Sequence, residues 1–268
     1  MQNHGEPILT AIKPNTLLFS VVIPAYNESQ NIADTVAQLV PALRNESIPF
    51  ELIIVNDNST DDTGNVVGSL IETFPEIRLV HNAPPGGFGR AIRCGLQHVT
   101  GDAVAIVMAD LSDSPEDVVR YYRKLEEGYD CVFGSRFISG SQVNNYPKGK
   151  LIVQRIVNNL IRVMFSTAHN DMTNAFKAYR KYVIDDISPL HAAHFNITIE
   201  LSLSTLIRQY SIATIPISWE GRTWGQSNLH LRAMGRRYLA TLLKIWFERT
   251  LVLDDLLQET EAKSNKYR

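Results

Sequence analysis

The sequence predicts an α/β fold in which helices flank a mainly parallel β-sheet. Two observations lead to this expectation. Short apolar runs rich in Val and Ile recur along the first half of the chain, and each is followed by a segment with apolar residues at helical spacing. The 268 residues are 44% hydrophobic, which allows one large core, and the 26 basic and 28 acidic residues nearly balance, which gives no indication of nucleic-acid binding.

Five strands are predicted in the first half of the chain. "LLFSVVIPAY" (17–26) is rich in Val and ends near a proline, and "FELIIVND" (50–57) is a second continuous apolar run. Runs of this length bounded by turn residues are typical of buried strands. The remaining three are "IRLVHN" (77–82), "DAVAIVMAD" (102–110) and "YDCVFGSR" (129–136).

Four helices are predicted between these strands. Ser59 or Asp61 is a candidate cap of the second helix, and Pro115 suits the first turn of the fourth. Because strands and helices alternate with short connections, the strands are expected to run parallel in a doubly wound sheet. The predicted helices are residues 28–44, 61–73, 89–99 and 115–127.

The second half of the chain changes character. Residues 150–166 and 229–249 predict amphipathic helices, and 195–217 predict a helix followed by a strand. In the last helix, basic residues follow one side and apolar residues another, a pattern compatible with a helix in the membrane interface or with an ordinary surface helix. The basic side contains Arg232, Arg236 and Lys244, and the apolar side contains Leu231, Met234, Tyr238, Leu242 and Ile245.

These segments suggest a main domain over residues 17–230 and a C-terminal amphipathic helix region over 231–256, with flexible tails at 1–16 and 257–268. No stretch reaches the roughly 18–20 uninterrupted apolar residues of a membrane-spanning helix. No secretory signal is visible, and the two cysteines lack metal or redox spacing. A cytoplasmic protein with peripheral membrane contact is therefore expected.

Polar residues cluster where the predicted strands end. In parallel sheets, ligands bind beyond the carboxyl ends of the strands. "PAYNES", "NDNSTDD" and "ADLSDSPED" follow the first, second and fourth strands. Such residues can simply close turns and cap helices, but three clusters at one edge favour a ligand site. Carboxylates and hydroxyls suit ribose hydroxyls, base edges and a hard cation such as Mg²⁺ or Mn²⁺.

A further motif, "GGFGRAIRCG", is not a dinucleotide-binding fingerprint. Its glycine spacing is wrong, and it follows the third strand rather than the first. Its glycines either permit positive φ before a helix or contact a donor molecule.

The ordered set of motifs resembles the family 2 glycosyltransferases of GT-A fold, and most closely their polyprenyl-phosphate branch, which includes dolichol-phosphate mannose synthases. The resemblance extends from about residue 20 to 230. Asn56 and Met108 depart from it, because the family usually has aspartate at both positions. The matching segments are "VVIPAYNE", "ELIIVNDNSTDDT", "FGRAIRCGL", "MADLSDSPED", "GSRF", "DMTNAFKAYR" and "EGRTWGQSNL".

The resemblance implies transfer of a single sugar from a nucleotide-sugar donor to a polyprenyl or dolichyl phosphate at the cytosolic membrane face, with inversion. GDP-mannose is the favoured donor, and UDP-sugars remain open. It implies that Asp110, with Asp113 beside it, holds Mg²⁺ or Mn²⁺, and that Arg136 and Arg222 bind the acceptor phosphate. A lipid phosphate is already ionised and needs cations rather than a general base, and arginine suits it through a bidentate fork. The donor-binding candidates are Pro24, Tyr26, Glu28, Asp57 and Ser59.

Two other functions stay open at this point. The acceptor could be a saccharide or small-molecule hydroxyl, which would require a carboxylate base. The chain could also be a non-catalytic subunit that binds a nucleotide sugar, because Met108 and Asn56 alter two motifs. The Gln-x-x-Arg-Trp motif of processive polysaccharide synthases does not occur in the sequence, which argues against a polymerase. A membrane subunit could be a partner.

Overall fold

A computed structural model describes residues 16–146, 148–221 and 231–264. Strands and helices alternate through the first half, and helices dominate the second. In chain order the elements are β1 (Phe19–Ala25), α1 (Ile32–Asn45), β2 (Phe50–Asn56), α2 (Thr63–Thr73), β3 (Ile77–His81), α3 (Phe88–Gln97), β4 (Ala103–Ile106), α4 (Pro115–Glu126), β5 (Cys131–Ser135), β6 (Gln142–Val143), α5 (Lys148–Phe165), β7 (Lys177–Arg180), α6 (Lys181–Asp186), α7 (Ile197–Ile207), β8 (Ile212–Pro216), β9 (Ser218–Trp219), α8 (Leu231–Leu251) and α9 (Leu253–Ser264).

The main sheet has seven strands in the order β3-β2-β1-β4-β7-β5-β8. The first four strands in this order pair in parallel, and so do β5 and β8. β7 runs antiparallel between β4 and β5, and no strand was expected there from the sequence. The prediction of a mainly parallel sheet flanked by helices is confirmed.

The core has two layers, one on each face of the sheet. β1 and β4 are buried along their whole length, because both of their faces are covered. The first layer packs the sheet against α1, α2 and α4, and the second packs it against α3, α6, α7 and α8. Buried tyrosines in the first layer keep hydrogen-bond partners: the Tyr121 hydroxyl donates to the Phe176 carbonyl at 2.8 Å.

Several boundaries differ from the sequence-based prediction for local reasons. The helix expected from residue 28 begins at Ile32, because the chain first turns at Asn27, whose φ is 55°. The strand expected over 102–110 leaves the sheet after Ile106, and the Met108 amide donates to the Asp113 carboxylate instead. Of the two candidate caps of α2, Asp61 accepts the Thr63 amide at 3.0 Å.

The C-terminal helices account for another difference. The tail expected over 257–268 is wrong for residues 257–264, which belong to α9. This helix is held because Thr260 is buried and donates to the Asp186 carboxylate at 3.0 Å, beside an ion pair between Asp186 and Arg208 at 3.3 Å. Among the described residues, no helix is both long and apolar enough to cross a membrane.

Candidate active site

Three loops at the carboxyl ends of β1, β2 and β4 contain a residue in the left-handed backbone region. These residues are Asn27, Asn58 and Leu111, with φ of 55°, 60° and 61°. Asparagine tolerates this conformation, but in leucine it is sterically strained. Leu111 lies between Asp110 and Ser112, so the strained residue is inside the cluster of acidic residues. Strain of this kind is concentrated at functional sites.

The loops after β1 and β2 are joined by hydrogen bonds. The Asn27 amide donates to Ser59 Oγ at 3.1 Å, and the Thr60 amide donates to Asn27 Oδ1 at 2.8 Å. Asn56 Oδ1 accepts the Ser59 amide at 3.0 Å, so this side chain closes the turn after β2. The Asn56 side chain therefore has a local structural role, which an aspartate oxygen could also fill.

The remaining donor-binding candidates of the first loop lie close together in the chain but differ in exposure. Pro24 is buried in β1, whereas Tyr26 is 43% exposed just beyond the end of the strand. Glu28 is buried; its amide donates to Thr63 Oγ1 at 2.9 Å, and its Oε2 accepts Asn31 Nδ2 at 2.7 Å. Tyr26 is thus exposed at the end of β1, while Glu28 fixes the loop against α2.

Asp57 connects the loop after β2 to the glycine-rich loop after β3. Its Oδ1 accepts Asn82 Nδ2 at 2.6 Å, and its Oδ2 accepts the Gly87 amide at 2.7 Å. A Cβ on Gly87 would lie 2.6 Å from the Ala193 carbonyl oxygen, and its φ is 149°. Glycine is therefore required here by backbone geometry. This supports the interpretation that the glycines permit positive φ before a helix.

The loop after β4, residues 107–114, contains two buried carboxylates, Asp110 and Asp113, and is internally hydrogen-bonded. We call it the acidic loop. Asp110 Oδ1 accepts the Ser112 hydroxyl at 2.6 Å and the Ser112 amide at 3.2 Å. Asp113 Oδ2 accepts the Met108 amide at 2.9 Å. Burial, and to a lesser degree the charge of Asp110, raises the pKa of Asp113 to about 8, although the hydrogen bond from Met108 opposes this rise. A cation at this loop would favour the ionised form of Asp113.

The acidic loop fits a hard cation only in part. Asp110 and Asp113 supply the carboxylate oxygens that Mg²⁺ and Mn²⁺ prefer. Met108 occupies the position where the resemblance expects a third carboxylate, and a thioether is a poor ligand for such ions. Within residues 16–146, 148–221 and 231–264, no group of three or more His, Cys, Asp or Glu side chains could hold a metal ion. The residues present fit a cation that completes its coordination with donor phosphate and water.

Arg136 and Asp171 form a buried ion pair at the end of β5. Asp171 accepts Arg136 Nε at 2.8 Å, Nη2 at 2.7 Å and the Arg136 amide at 3.0 Å. Burial lowers the pKa of Arg136, but the charge and hydrogen bonds of Asp171 outweigh it, so the pKa stays above its ordinary value. The guanidinium carbon lies 5.4 Å from the Phe137 ring centroid and 5.7 Å from that of Tyr146. The guanidinium is charged and held in one orientation.

The acidic loop and the Arg136–Asp171 pair lie close enough to interact electrostatically. The positive charge of Arg136 acts on Asp113 and lowers its pKa, in opposition to burial, which is the largest influence. The segment after β8 closes the same region, because the Glu220 amide donates to the Ser112 carbonyl at 3.1 Å. This segment leads into 222–230, and Arg222 lies outside the described residues.

Sequence reasoning assigned no role to three residues that organise this site: Asp171, Asn158 and Lys177. Asp171 and Lys177 stand in "DMTNAFKAYR", a segment that resembles a motif of the polyprenyl-phosphate branch, so a signal was present. Asn158 lies on α5, and its Oδ1 accepts the Met172 amide at 2.8 Å. Nothing in the helical pattern of α5 distinguishes Asn158 from an ordinary polar residue.

Comparison with known proteins identifies the family. A model of the family described as glycosyl transferase family 2 matches residues 20–188, which include the acidic loop and the Arg136–Asp171 pair. The chain belongs to this family. The glycosyltransferase is 28% identical over 234 residues to the polyprenol monophosphomannose synthase of Mycolicibacterium smegmatis, covering 85% of this chain and 86% of that protein.

A second relative and several solved structures are also similar to this glycosyltransferase. The dolichol-phosphate mannosyltransferase of Pyrococcus furiosus is 28% identical over 78% of this chain, which spans only 58% of that longer protein. The glucosyl-3-phosphoglycerate synthase of Mycobacterium tuberculosis, solved with UDP, superposes with a TM-score of 0.65 at 23% identity. The match covers 86% of this chain and 80% of the synthase chain. The same synthase solved with Mn²⁺, UDP and phosphoglyceric acid has a TM-score of 0.66 at 22% identity, covering 86% of this chain and 78% of that one. These structures confirm the fold.

Proposed function

We propose that this glycosyltransferase moves a single sugar from a nucleotide sugar to a polyprenyl phosphate at the cytosolic face of a membrane, with inversion. The names of both relatives describe mannose transfer to a polyprenol or dolichol phosphate, which favours GDP-mannose as the donor. UDP-sugars stay open. Residues 17–230 would form the catalytic domain, and 231–256 would contribute to membrane contact.

One observation carries the choice of a lipid acceptor: α5 and α8 expose a large number of apolar side chains. Soluble proteins rarely leave such a surface uncovered unless it meets a partner or a membrane. We call these residues the apolar surface; they are between 39% and 80% exposed. They are Ile152, Val153, Ile156, Leu160 and Val163 of α5, then Leu239, Leu243, Phe247 and Leu251 of α8, and Val252, which follows α8.

The apolar surface differs from the one expected from the sequence. Leu242 and Ile245, which belong to the expected membrane face, are buried in the core instead. The expected basic side is also reduced, because Lys244 forms ion pairs with Glu200 at 3.4 Å and Glu248 at 3.8 Å. Apolar contact therefore contributes more to the proposed membrane binding, and surface charge contributes less, than the sequence suggested.

Contacts of α5 connect the apolar surface to Arg136. Asn158 of α5 accepts the amides of Met172 and Thr173 at 2.8 and 3.3 Å, and the adjacent Asp171 holds Arg136. The two helices also contact each other, since Arg249 Nη1 of α8 donates to the Met164 carbonyl at 3.0 Å. A lipid whose chain lies along the apolar surface would thus bring its phosphate towards the Arg136 end of the site.

The proposed chemistry assigns a role to each charged group. A phosphate oxygen of the acceptor attacks the anomeric carbon, the bond from that carbon to the donor diphosphate breaks, and the nucleoside diphosphate leaves. Arg136 and Arg222 hold the acceptor phosphate, which needs no general base. Mg²⁺ or Mn²⁺, held by Asp110 and Asp113, would supply positive charge at the leaving diphosphate.

The test is a panel of GDP- and UDP-sugars with a polyprenyl phosphate and Mg²⁺ or Mn²⁺, with glycolipid formation measured by mass spectrometry. We expect transfer from one donor and none when the lipid carries an alcohol in place of the phosphate. Transfer to sugars or small hydroxyl compounds in preference to the lipid would replace the proposal with a hydroxyl-acceptor enzyme. Donor binding without transfer or hydrolysis would favour a non-catalytic subunit. A membrane subunit would be required if the active chain did not bind vesicles by itself.

A further inference from the structure

We propose that Lys177 is a positioning residue for Arg136, because its buried ammonium group holds the loop from which Asp171 orients the Arg136 guanidinium towards the acceptor. The proposal rests on the proposed function, since it concerns how the acceptor phosphate is bound. It assigns a task to a charged residue that lies in the core and contributes no group to the donor-side loops.

Lys177 is placed where a lysine is costly. It is the first residue of β7, paired with Ile106 of β4 and Phe133 of β5, and only 1% exposed. An ammonium group in such surroundings must be hydrogen-bonded, or it destabilises the fold. Its Nζ donates to the carbonyls of Met172, at 3.1 Å, and Asn174, and it lies 5.1 Å from the Phe133 ring centroid.

The two carbonyl acceptors belong to the loop 171–174, which lies between α5 and β7. Asp171, at its start, binds Arg136 through the three hydrogen bonds described above. Asn174, at its end, donates to the Gly134 carbonyl of β5 at 3.2 Å. With Lys177 bound beneath it, this loop has a fixed position relative to β5, and so does the Asp171 carboxylate.

The charges around Lys177 fit an anionic ligand. Asp171 is a single carboxylate that faces two cations, Arg136 and Lys177. Burial lowers the pKa of Lys177 to about 7, against the opposing charge of Asp171, and Arg136 lowers it further. The nearby His169 has its pKa lowered by burial and by the Lys177 charge, which favours its neutral form. A bound phosphate would add negative charge near these side chains and so favour the charged form of Lys177.

The experiment compares Lys177→Met, Lys177→Gln and Lys177→Arg in the full chain. Lys177→Met removes the charge and the hydrogen bonds, and we expect the KM for the lipid phosphate to rise about tenfold or more, with the donor KM unchanged. Lys177→Gln retains a donor without charge and should fall between wild type and the methionine variant. Lys177→Arg should restore most of the activity. The control is Lys181→Met, because Lys181 is a surface lysine paired with Asp185 four residues later. This variant should behave as wild type.

A second measurement uses the wild-type protein and does not depend on whether a variant folds. With ¹⁵N-labelled lysine, the Nζ resonance of Lys177 should shift when citronellyl phosphate, a short prenyl phosphate, is added, and the Lys181 resonance should not. If wild type transfers sugar to lipid phosphate but the Lys177 resonance does not respond, the proposal is wrong. It is also wrong if the variants lose kcat and thermal stability together at an unchanged acceptor KM. If wild type neither binds citronellyl phosphate nor uses a lipid phosphate, the proposed function itself fails and this proposal fails with it.

Discussion

Membrane binding through the apolar surface can be tested by making part of that surface polar. The double variant Leu243→Ser/Phe247→Ser changes two residues one helical turn apart on the outer side of α8. Both are substantially exposed, at 40% and 50%, so neither contributes a fully buried side chain to the core. Half or more of each side chain is nevertheless covered by protein, so the variant should also lose about 2–3 kcal/mol of folding free energy. Its vesicle binding is therefore compared with wild type at a temperature at which circular dichroism shows both proteins to be folded.

The expected magnitude follows from the exposed fractions. Burying a whole Leu or Phe side chain is worth about 1.5–3 kcal/mol. Because roughly half of each side chain is still exposed, insertion of both into a bilayer contributes about 2 kcal/mol in total. One factor of ten corresponds to about 1.4 kcal/mol, so the partition coefficient onto vesicles should fall about 30-fold.

Flotation with anionic vesicles measures this partition directly. High salt should weaken binding of the wild type without abolishing it, because screening reduces only the electrostatic part. Ile71→Ser is a matched control: Ile71 is 37% exposed on α2, away from the apolar surface. Equal flotation of the double variant and wild type would refute the membrane role of α8. An equal loss in Ile71→Ser would show that general surface polarity, rather than this surface, was being measured.

Three further predictions concern buried carboxylates. Asp110→Asn should lose most turnover with Mg²⁺ or Mn²⁺ while circular dichroism stays unchanged, and full activity of the variant would contradict a metal role. Asp171→Asn should lower the free energy of unfolding by about 3–5 kcal/mol in urea titrations, because it leaves the buried Arg136 without its partner. A loss no larger than that expected from breaking a solvent-exposed ion pair would refute this prediction. The folded pKa of Asp113, about 8, lies above its ordinary value of 3.8, so its contribution to stability is full below that ordinary value and is lost as pH rises towards 8. Urea titrations without metal should show a decrease of up to about 1.4 kcal/mol per pH unit between these values, and a similar decrease in Asp113→Asn would assign it to other groups.

The strands of the first half could be predicted from the sequence because their signal is local. A continuous apolar run such as that of β2 identifies itself without reference to the rest of the chain. β7 could not be predicted in this way, since "KAYR" is short and begins with a lysine. It becomes a strand because β4 and β5 offer it hydrogen-bond partners on both sides, and such tertiary context overrides local preference.

The same distinction applies to the candidate site. Asp110, Asp113 and Arg136 were found because they lie at strand ends, where the position in the chain indicates the position in the sheet. Asp171 lies 35 residues from Arg136, and only the folded chain shows that they form a pair. The roles of these residues in binding and catalysis remain predictions.

The exposed side of α8 shows a third limit of sequence patterns. Leu242 and Leu243 are neighbours of identical chemistry, yet the first is buried and the second is 40% exposed. A helix that is apolar on two sides gives a pattern that cannot indicate which side packs against the protein. The side that carries Leu242 packs against the α7 region, where Asn196, the residue before α7, donates to Thr241 Oγ1 at 3.0 Å.

The central position of β7 has a consequence for synthesis on the ribosome. β5 pairs only with β7 and β8 in the described sheet, so it has no neighbour until residues 177–180 have emerged. A nascent chain that ends earlier can assemble β3-β2-β1-β4, but it leaves one side of β4 open and β5 unattached. Unpaired edges of this kind favour aggregation of incomplete chains. Arg136 follows β5 directly, and its partner Asp171 precedes β7, so their ion pair forms in the step that inserts β7, before β8 adds the last strand at the edge of the sheet.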